Sequence, residues 1–164
     1  MIDLSISAYD SSVGLPSTES RLVSIRPSTS AWAVRVHLAC QDPPNSTSIL
    51  TNSLPLKQPK KLPTIIYEPS SGIPGSIALL DSVLPPSSVN ATNPGRWLFD
   101  LQEQGEVGRV CVWDRPGYGF SEVLGSADLG LVADSLWLAL EAAGEVDIAK
   151  KGHGFLLAGE GYGG

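Results

Sequence analysis

The residues of this chain that could perform chemistry lie in three loops, each directly after an apolar run: Ser71–Gly75, Asp114–Glu122 and Gly159–Gly164. The glycines and prolines of the second loop are, by themselves, typical of a tight turn leaving a sheet. Covalent catalysis would need Ser, Cys, Asp or an equivalent at the tip of such a turn, with a base in reach. The third loop has a glycine, Gly161, at its centre. Glycine adopts strained turn angles easily but supplies no attacking atom.

The two histidines, His37 and His153, do not supply an evident general base. His37 shares a predicted strand face with Arg35, and we expect it to be solvated. His153 is predicted to be a loop residue before the last strand. Glu160 and Tyr162 flank Gly161 and should point away from the position that faces a substrate. The residues alone therefore identify no nucleophile and base pair.

The N-terminal third of the chain predicts a hairpin between irregular segments. Residues 1–20 form an irregular N-terminal segment, and the domain spans 21–164. Between Ala31 and Cys40, apolar residues alternate with others in the period of a strand with one buried face, starting at Trp32. The preceding run Arg21–Ile25 could pair with this strand. Residues 41–61 are rich in Pro and Ser and predict a long solvated loop.

After that loop, short apolar strands alternate with helix signals. Strands are predicted at 62–67, 110–113 and 155–158, and Asn93-Pro94 predicts a helix start. A second helix is predicted from Asp128 to Gly144 because apolar residues recur there at helical spacing. Alternating strands and helices imply right-handed crossovers and a mainly parallel sheet with helices on both faces. The residues of that second helical stripe are Leu129, Val132, Ala133, Leu136, Trp137, Leu140 and Ala143.

The loop after the strand at 110–113 is the most specific stretch of the sequence. It resembles the D-x-x-G-x-G-x-S loop after the fourth strand of the α/β-hydrolase family, in the D-R-P-G-Y-G variant common among epoxide-hydrolase-like and esterase-like members. The resemblance implies part of a doubly wound, mainly parallel α/β sheet with an N-terminal β-hairpin. The matching residues are Asp114, Arg115, Gly117, Gly119 and Ser121.

The loop after the strand at 62–67 lies where that family has H-G-x-P-G. The backbone N–H after its first glycine is one half of the family's oxyanion hole, which implies Ile73 as a donor here. Ser71 stands in place of the usual His. The resemblance therefore implies a backbone donor without its usual neighbouring side chain.

The terminal glycine cluster lies where the family has its nucleophile elbow, G-x-S-x-G-G, a strained strand-to-helix turn. Matching position by position puts Gly161 at the nucleophile and makes the N–H of Tyr162 the second oxyanion donor. The resemblance thus implies an elbow that forms but lacks its oxygen. Gly159, Glu160, Gly163 and Gly164 complete the implied elbow.

The resemblance covers residues 31–164, which correspond to the first half of the family's domain. The family's acid, its catalytic His, its cap and its remaining strands follow the elbow. We therefore expect an α/β-hydrolase fragment, whose family activity is hydrolysis of an ester, an epoxide or a similar small apolar substrate, inactive as given. The implied partners are a small-molecule substrate or ligand and the missing C-terminal half of the domain.

Two alternatives from other classes remain open. The first is a non-catalytic α/β-hydrolase-like protein that keeps the pocket and binds or signals. The second is a dinucleotide-binding domain, because Gly159, Gly161 and Gly164 match G-x-G-x-x-G after a strand. That pattern usually opens a domain, and the acidic residue about 20 positions later has no counterpart here.

Composition excludes several other classes. The chain has 164 residues and a formal charge of -6, which disfavours nucleic-acid binding through clustered cations. No apolar run approaches the roughly 18 residues of a membrane span. Cys40 and Cys111 are expected to be reduced core residues, and we expect no metal and no cofactor. Asn45 and Asn90 begin N-glycosylation sequons, which would matter only in the secretory pathway.

Overall fold

A computed structural model describes residues 18–28, 30–43, 61–77, 96–125 and 128–161. Several predictions lie outside these residues, namely most of the irregular N-terminal segment and of the 41–61 loop, the Asn93-Pro94 helix start, both sequons and residues 162–164. Within the described part of the chain, no helix has the length and apolar character needed to cross a membrane.

The described strands form one five-stranded mixed sheet in the order β1-β2-β4-β3-β5. β1 pairs antiparallel with β2, and β2 pairs antiparallel with β4. β3 pairs parallel with β4 on one side and with β5 on the other. The N-terminal hairpin and the mainly parallel sheet of the predicted fold are confirmed. The strands are β1 Thr18–Ile25, β2 Val34–Gln41, β3 Thr64–Glu68, β4 Val110–Trp113 and β5 Phe155–Gly159.

The helices whose bounds lie within the described residues are α1 Arg96–Glu103, α2 Leu129–Ala142 and α3 Glu145–Lys151. Asp128 caps α2 by accepting a hydrogen bond from the backbone N–H of Leu131 at 2.8 Å. The chain then turns at Gly144, whose φ of 79° is in the left-handed region that favours glycine. The capping residue and the glycine stop fix α2 close to its predicted bounds.

The central strands of the sheet, β2, β4 and β3, are largely buried on both faces. On one face, Val36, Cys111 and Trp113 pack in a core with Leu131 and Leu140 of α2. On the other face, alternating strand residues pack against α1 in a second core. A parallel strand covered on both faces is a continuous apolar run, which is why the Val-Cys-Val-Trp sequence of β4 located it in advance. Members of the second core are Ile65, Tyr67, Leu98, Phe99, Val110 and Val112.

The expectation that β2 has one solvated face is wrong. From Val36 to Gln41 every residue is buried, and His37 is only 6% exposed. The loop after β4 covers the second face, since the Ser121 hydroxyl accepts a hydrogen bond from the His37 N–H at 2.8 Å. Trp32, which began the predicted buried alternation, precedes the strand and is 74% exposed.

The residues predicted to form the buried stripe of α2 are only partly the residues that the helix buries. The residues that α2 buries are Leu131, Ser135, Ala139 and Leu140. A pocket beside the sheet is lined by four residues of the predicted stripe, Leu129, Val132, Ala133 and Leu136. Val132 and Leu136 also pack, partly buried, against the core. Helical periodicity identified the helix correctly, but it could not distinguish a core face from a pocket face.

The expectation of two reduced cysteines is also wrong. Cys40 of β2 and Cys111 of β4 are directly opposite each other and form a disulfide across 71 residues of sequence. Both are buried in the core beneath α2. The spacing of the two cysteines in the sequence contains no sign of this pairing, because it depends on the register between β2 and β4.

Replacing both cysteines, Cys40→Ala with Cys111→Ala, should lower the free energy of unfolding by about 4 kcal/mol, because the crosslink restricts the unfolded chain. Denaturant unfolding of both proteins measures this difference. Thiol alkylation of the denatured, unreduced parent chain followed by mass spectrometry is the direct control. Two alkylated thiols in that sample would contradict the disulfide.

Candidate functional site

The three loops identified from the sequence meet at one edge of the sheet. β3, β4 and β5 run parallel, so their carboxyl ends point the same way. The segment from Ser70 follows β3, the Asp114–Glu122 loop follows β4, and Gly161 follows β5. In open parallel sheets this edge is where ligands bind.

Asp114 holds this edge together. It is fully buried, and its Oδ1 accepts a hydrogen bond from the backbone N–H of Ser76 at 2.8 Å. Its Oδ2 accepts one from the N–H of Phe120 and contacts His37 Nδ1, each at 3.0 Å. Burial raises the pKa of Asp114, but these hydrogen bonds outweigh burial and hold the pKa below its ordinary value. One ionised carboxylate thus joins β2, the segment after β3 and the loop after β4.

Two of the glycines near Asp114, Gly119 and Gly75, are required because other atoms approach them closely. Gly119 has a φ of 50°, and a Cβ there would overlap the Asp114 carboxylate. Gly117 also has a positive φ, 85°, but a Cβ there would meet nothing within 4 Å. A Cβ on Gly75 would overlap the carbonyl oxygen of Trp113. The D-x-x-G-x-G pattern therefore encodes a turn folded tightly around its own aspartate.

Gly119→Ala should lower the free energy of unfolding by about 3 kcal/mol, since the new Cβ displaces a buried, hydrogen-bonded carboxylate as well as straining the backbone. The matched control is Gly117→Ala, which adds only backbone strain of about 1 kcal/mol. Denaturant unfolding compares the two variants. Equal losses would show that Gly119 is not packed against Asp114.

Arg115 and Ser121, the other predicted residues of this loop, also have defined hydrogen-bond partners. Arg115 pairs with Glu68 at the end of β3, and its Nη2 donates to the Pro69 carbonyl at 3.1 Å. The Ser121 hydroxyl donates to the Asp114 carbonyl at 2.6 Å. These contacts fasten the loop to the end of β3 and close the loop on itself.

Ile73, the predicted oxyanion donor, lies in an exposed turn. Its N–H donates to the Ser70 carbonyl at 3.1 Å, and Gly72 turns the chain with a φ of 88°. The N–H that the resemblance assigns to an oxyanion thus closes a turn in this structure. The second predicted donor, Tyr162, and the closing pair Gly163 and Gly164 lie outside the described residues.

Gly161 follows β5 with a φ of 57°, in the left-handed region that strains other residues. Gly159 ends β5, and the N–H of Glu160 donates to the Glu68 carbonyl at 3.1 Å. A Cβ added to Gly161 would lie 2.9 Å from Ser70 Oγ. A side chain at position 161 would therefore meet the segment after β3.

The Glu160 carboxylate accepts a hydrogen bond from the Tyr67 hydroxyl at 2.8 Å. Burial, this hydrogen bond and the nearby charge of Glu160 raise the pKa of Tyr67 from 10.0 to about 12. A raised folded-state pKa means that the interaction stabilises the fold fully below pH 10.0. That stability is lost as the pH rises through about 12.

Glu160→Gln should lower the pKa of Tyr67, because it removes the negative charge that disfavours the phenolate. The measurement is a spectrophotometric titration of the tyrosines in the folded chain. Tyr67→Phe is the control that assigns the high-pH step. If Glu160→Gln leaves the pKa of Tyr67 unchanged, the hydrogen bond between Tyr67 and Glu160 does not form.

A pocket of about 460 Å³ lies between this edge of the sheet and α2. Its size is within the range of small-molecule sites, and its wall is mostly apolar. Glu68, which also binds Arg115 and Trp113, is a charged residue in the wall. Among the apolar lining residues are Ile66, Trp113, Leu129, Leu136, Leu157 and Ala158.

One group of potential metal ligands occurs among the described residues. The Cys40 and Cys111 sulfurs and a Glu145 carboxylate oxygen all lie within 4.8 Å of one another. The sulfurs are bonded to each other, so they are not thiolates. Glu145 is ion-paired with Arg109 at 2.9 Å and with Arg21 at 3.0 Å. This chemistry fits a buried ion pair beside a disulfide and does not fit a metal centre.

His37 is part of this edge, which the sequence did not predict. Besides contacting Asp114, His37 places Nε2 2.8 Å from Ser20 Oγ on β1. The Phe120 ring lies edge-on to the imidazole, with centroids 5.2 Å apart. The position of His37 in a strand paired with 21–25 was available from the sequence, but the loop that buries it was not.

No protein-family model and no curated protein matches this chain. Among solved structures, it is similar to a predicted CIB-like hydrolase from Thermoplasma acidophilum, with a TM-score of 0.50 and 14% identity. The match covers 90% of this chain and 53% of that one. This chain therefore spans about half the length of that hydrolase.

Two further matches have lower TM-scores. A putative hydrolase from Agrobacterium vitis S4 gives 0.48 at 14% identity, over 88% of this chain and 41% of that one. A membrane phospholipase A, described as a bacterial virulence factor, has a TM-score of 0.45 at 17% identity. That match covers 88% of this chain and 32% of the phospholipase. The three structures are thus described as two hydrolases and a phospholipase A. At these identities, the similarity shows the fold.

Proposed function

We propose that this chain forms the ligand-binding part of an α/β-hydrolase-type domain whose elbow has lost its nucleophile. A small apolar ester or epoxide binds in the pocket between α2 and the carboxyl ends of β3, β4 and β5. It is not attacked from position 161, because the residue there has no side chain. The observation that supports this proposal best is the left-handed glycine that follows β5 at the same edge of the sheet as the pocket.

The side chains near Gly161 in the sequence support the proposal that no other residue replaces the missing nucleophile. Glu160 accepts the Tyr67 hydroxyl, so its carboxylate is held by another side chain. His153 is exposed in the turn between α3 and β5, before the elbow in the chain. A protein that keeps the pocket and lacks the attacking group is a binding protein with a hydrolase fold, which favours the non-catalytic alternative for this edge.

The proposed partner of this half-domain is the C-terminal half of an α/β-hydrolase domain. Leu156 and Leu157 are successive residues of β5, so they point to opposite faces, and Leu157 is 72% exposed. Exposed leucines on a sheet strand are unfavourable in water and call for a covering layer. The T. acidophilum hydrolase, of which this chain matches 53%, has further chain that could supply such a layer.

Gly161→Cys tests whether the elbow position opens onto the pocket. The two native cysteines are joined in a disulfide, so the introduced thiol is the reactive one. An apolar probe, N-phenylbutyramide, should slow alkylation at position 161 by iodoacetamide at least about tenfold when the pocket is saturated. Gly125→Cys is the control, because Gly125 is an exposed glycine outside the pocket lining.

A second pair of variants links that protection to the pocket. Ala133→Phe places a ring in the pocket wall and should abolish protection, whereas Ala142→Phe adds the same ring to α2 outside the lining. Alkylation rates are measured by intact mass. Equal alkylation at positions 161 and 125 in saturating probe would mean that the pocket and the glycine turn are not one site.

A further inference from the structure

Ser20, His37 and Asp114 form a linear hydrogen-bonded series outside the pocket. Ser20 Oγ lies 2.8 Å from His37 Nε2, and His37 Nδ1 lies 3.0 Å from Asp114 Oδ2. These are the contacts, on the two different ring nitrogens, that define a serine triad by geometry rather than by sequence position. None of the three lies where the family resemblance puts a nucleophile, base or acid.

The partners of Asp114 decide which nitrogen of His37 is protonated. An ionised carboxylate only accepts hydrogen bonds, and Asp114 already accepts two from backbone N–H groups. His37 therefore donates from Nδ1 to Asp114, and in the neutral form of the ring the lone pair of Nε2 faces Ser20. The Ser20 hydroxyl is then the donor in the 2.8 Å contact.

The series runs from solvent into the core. Ser20 is exposed on β1, His37 is 6% exposed and Asp114 is fully buried. The Phe120 ring packs edge-on against the imidazole of His37. The backbone N–H of His37 donates to the Ser121 hydroxyl, which fixes the residue in the strand. A base with an ordered ring, an orienting carboxylate and an accessible hydroxyl are the requirements for an activated serine.

We propose that Ser20 is a nucleophile activated by His37 and oriented through Asp114, and that it takes acyl groups from activated esters. Ser20 Oγ bonds to the ester carbonyl carbon while its proton passes to His37 Nε2. The tetrahedral species then breaks the bond to the leaving oxygen, which takes that proton and departs as an alcohol or phenol. Water, deprotonated by His37, hydrolyses the acyl-serine and returns the starting state.

The surface beside Ser20 favours a small apolar acyl group. Leu22 is directly opposite His37 in the hairpin and is 40% exposed, and the Phe120 ring is 66% exposed. The series of Ser20, His37 and Asp114 provides a base and an orienting carboxylate, and it includes no donor to an oxyanion. The appropriate substrates therefore have good leaving groups. Acetyl and butyryl esters of p-nitrophenol satisfy both conditions.

The first experiment is acetylation of the 164-residue chain by p-nitrophenyl acetate, with the modified residue located by peptide mass spectrometry. We expect acetyl-Ser20 and a release of p-nitrophenol that falls about 100-fold in Ser20→Ala and in His37→Gln. Ser24→Ala is the matched control, because Ser24 is exposed on the same face of β1 but lies opposite Arg35. Acetylation confined to other residues, or release unchanged in Ser20→Ala, would overturn the proposal.

The second experiment does not depend on His37→Gln folding. Ser20→Cys and Ser24→Cys each introduce one reactive thiol into a chain whose native cysteines are paired. Alkylation by iodoacetamide at neutral pH should be at least about tenfold faster at position 20, because His37 draws the proton from that thiol. Equal rates would show that His37 is not a base for position 20. Neither variant involves position 161 or the pocket, so this outcome is independent of the proposed pocket function.

Discussion

The structure depends on one buried carboxylate. Asp114 directly follows β4 in a position without solvent exposure, and an unpaired charge there would be very costly. It is retained because three donors converge on it, from Ser76, Phe120 and His37. These donors belong to three separate segments of the chain. The interaction that compensates the buried charge therefore also sets the relative positions of β2 and the loops after β3 and β4.

The two proposed sites lie on different sides of this aspartate. Towards β5, the loop that Asp114 organises contributes Arg115 and Tyr118 to the pocket beside Gly161. Towards β1, the same carboxylate orients His37 against Ser20. Apart from the glycine turn after β5, the chain thus holds a hydroxyl, an imidazole and a carboxylate in hydrogen-bonded order at a second position. Function is decided by such sites and not by the fold that holds them.

The parts predicted correctly from sequence are those with a local signal. The apolar run of β4, the capping Asp128 of α2 and the glycine after that helix each act within a few residues. The D-x-x-G-x-G pattern was equally informative, because Gly119 contacts the aspartate five positions before it. These features fixed the fold class and the loop that borders the candidate site.

The errors share one physical origin, which is contact between residues far apart in the chain. His37 is buried by residues 77 and 84 positions later, and the disulfide joins residues 71 apart. The apolar stripe of α2 faces a pocket whose other wall is β3 and β5. Periodicity reports how apolar a face is, but not what covers it.

The most direct test of the account is the protonation of the His37 ring, observed by long-range proton–nitrogen NMR at neutral pH, with His153→Gln used for assignment. Asp114 as an ionised acceptor requires a proton on Nδ1, and the proposed role of His37 as a base also requires an unprotonated Nε2 facing Ser20. A proton on Nε2 would contradict that role, because that nitrogen could then not accept the serine proton.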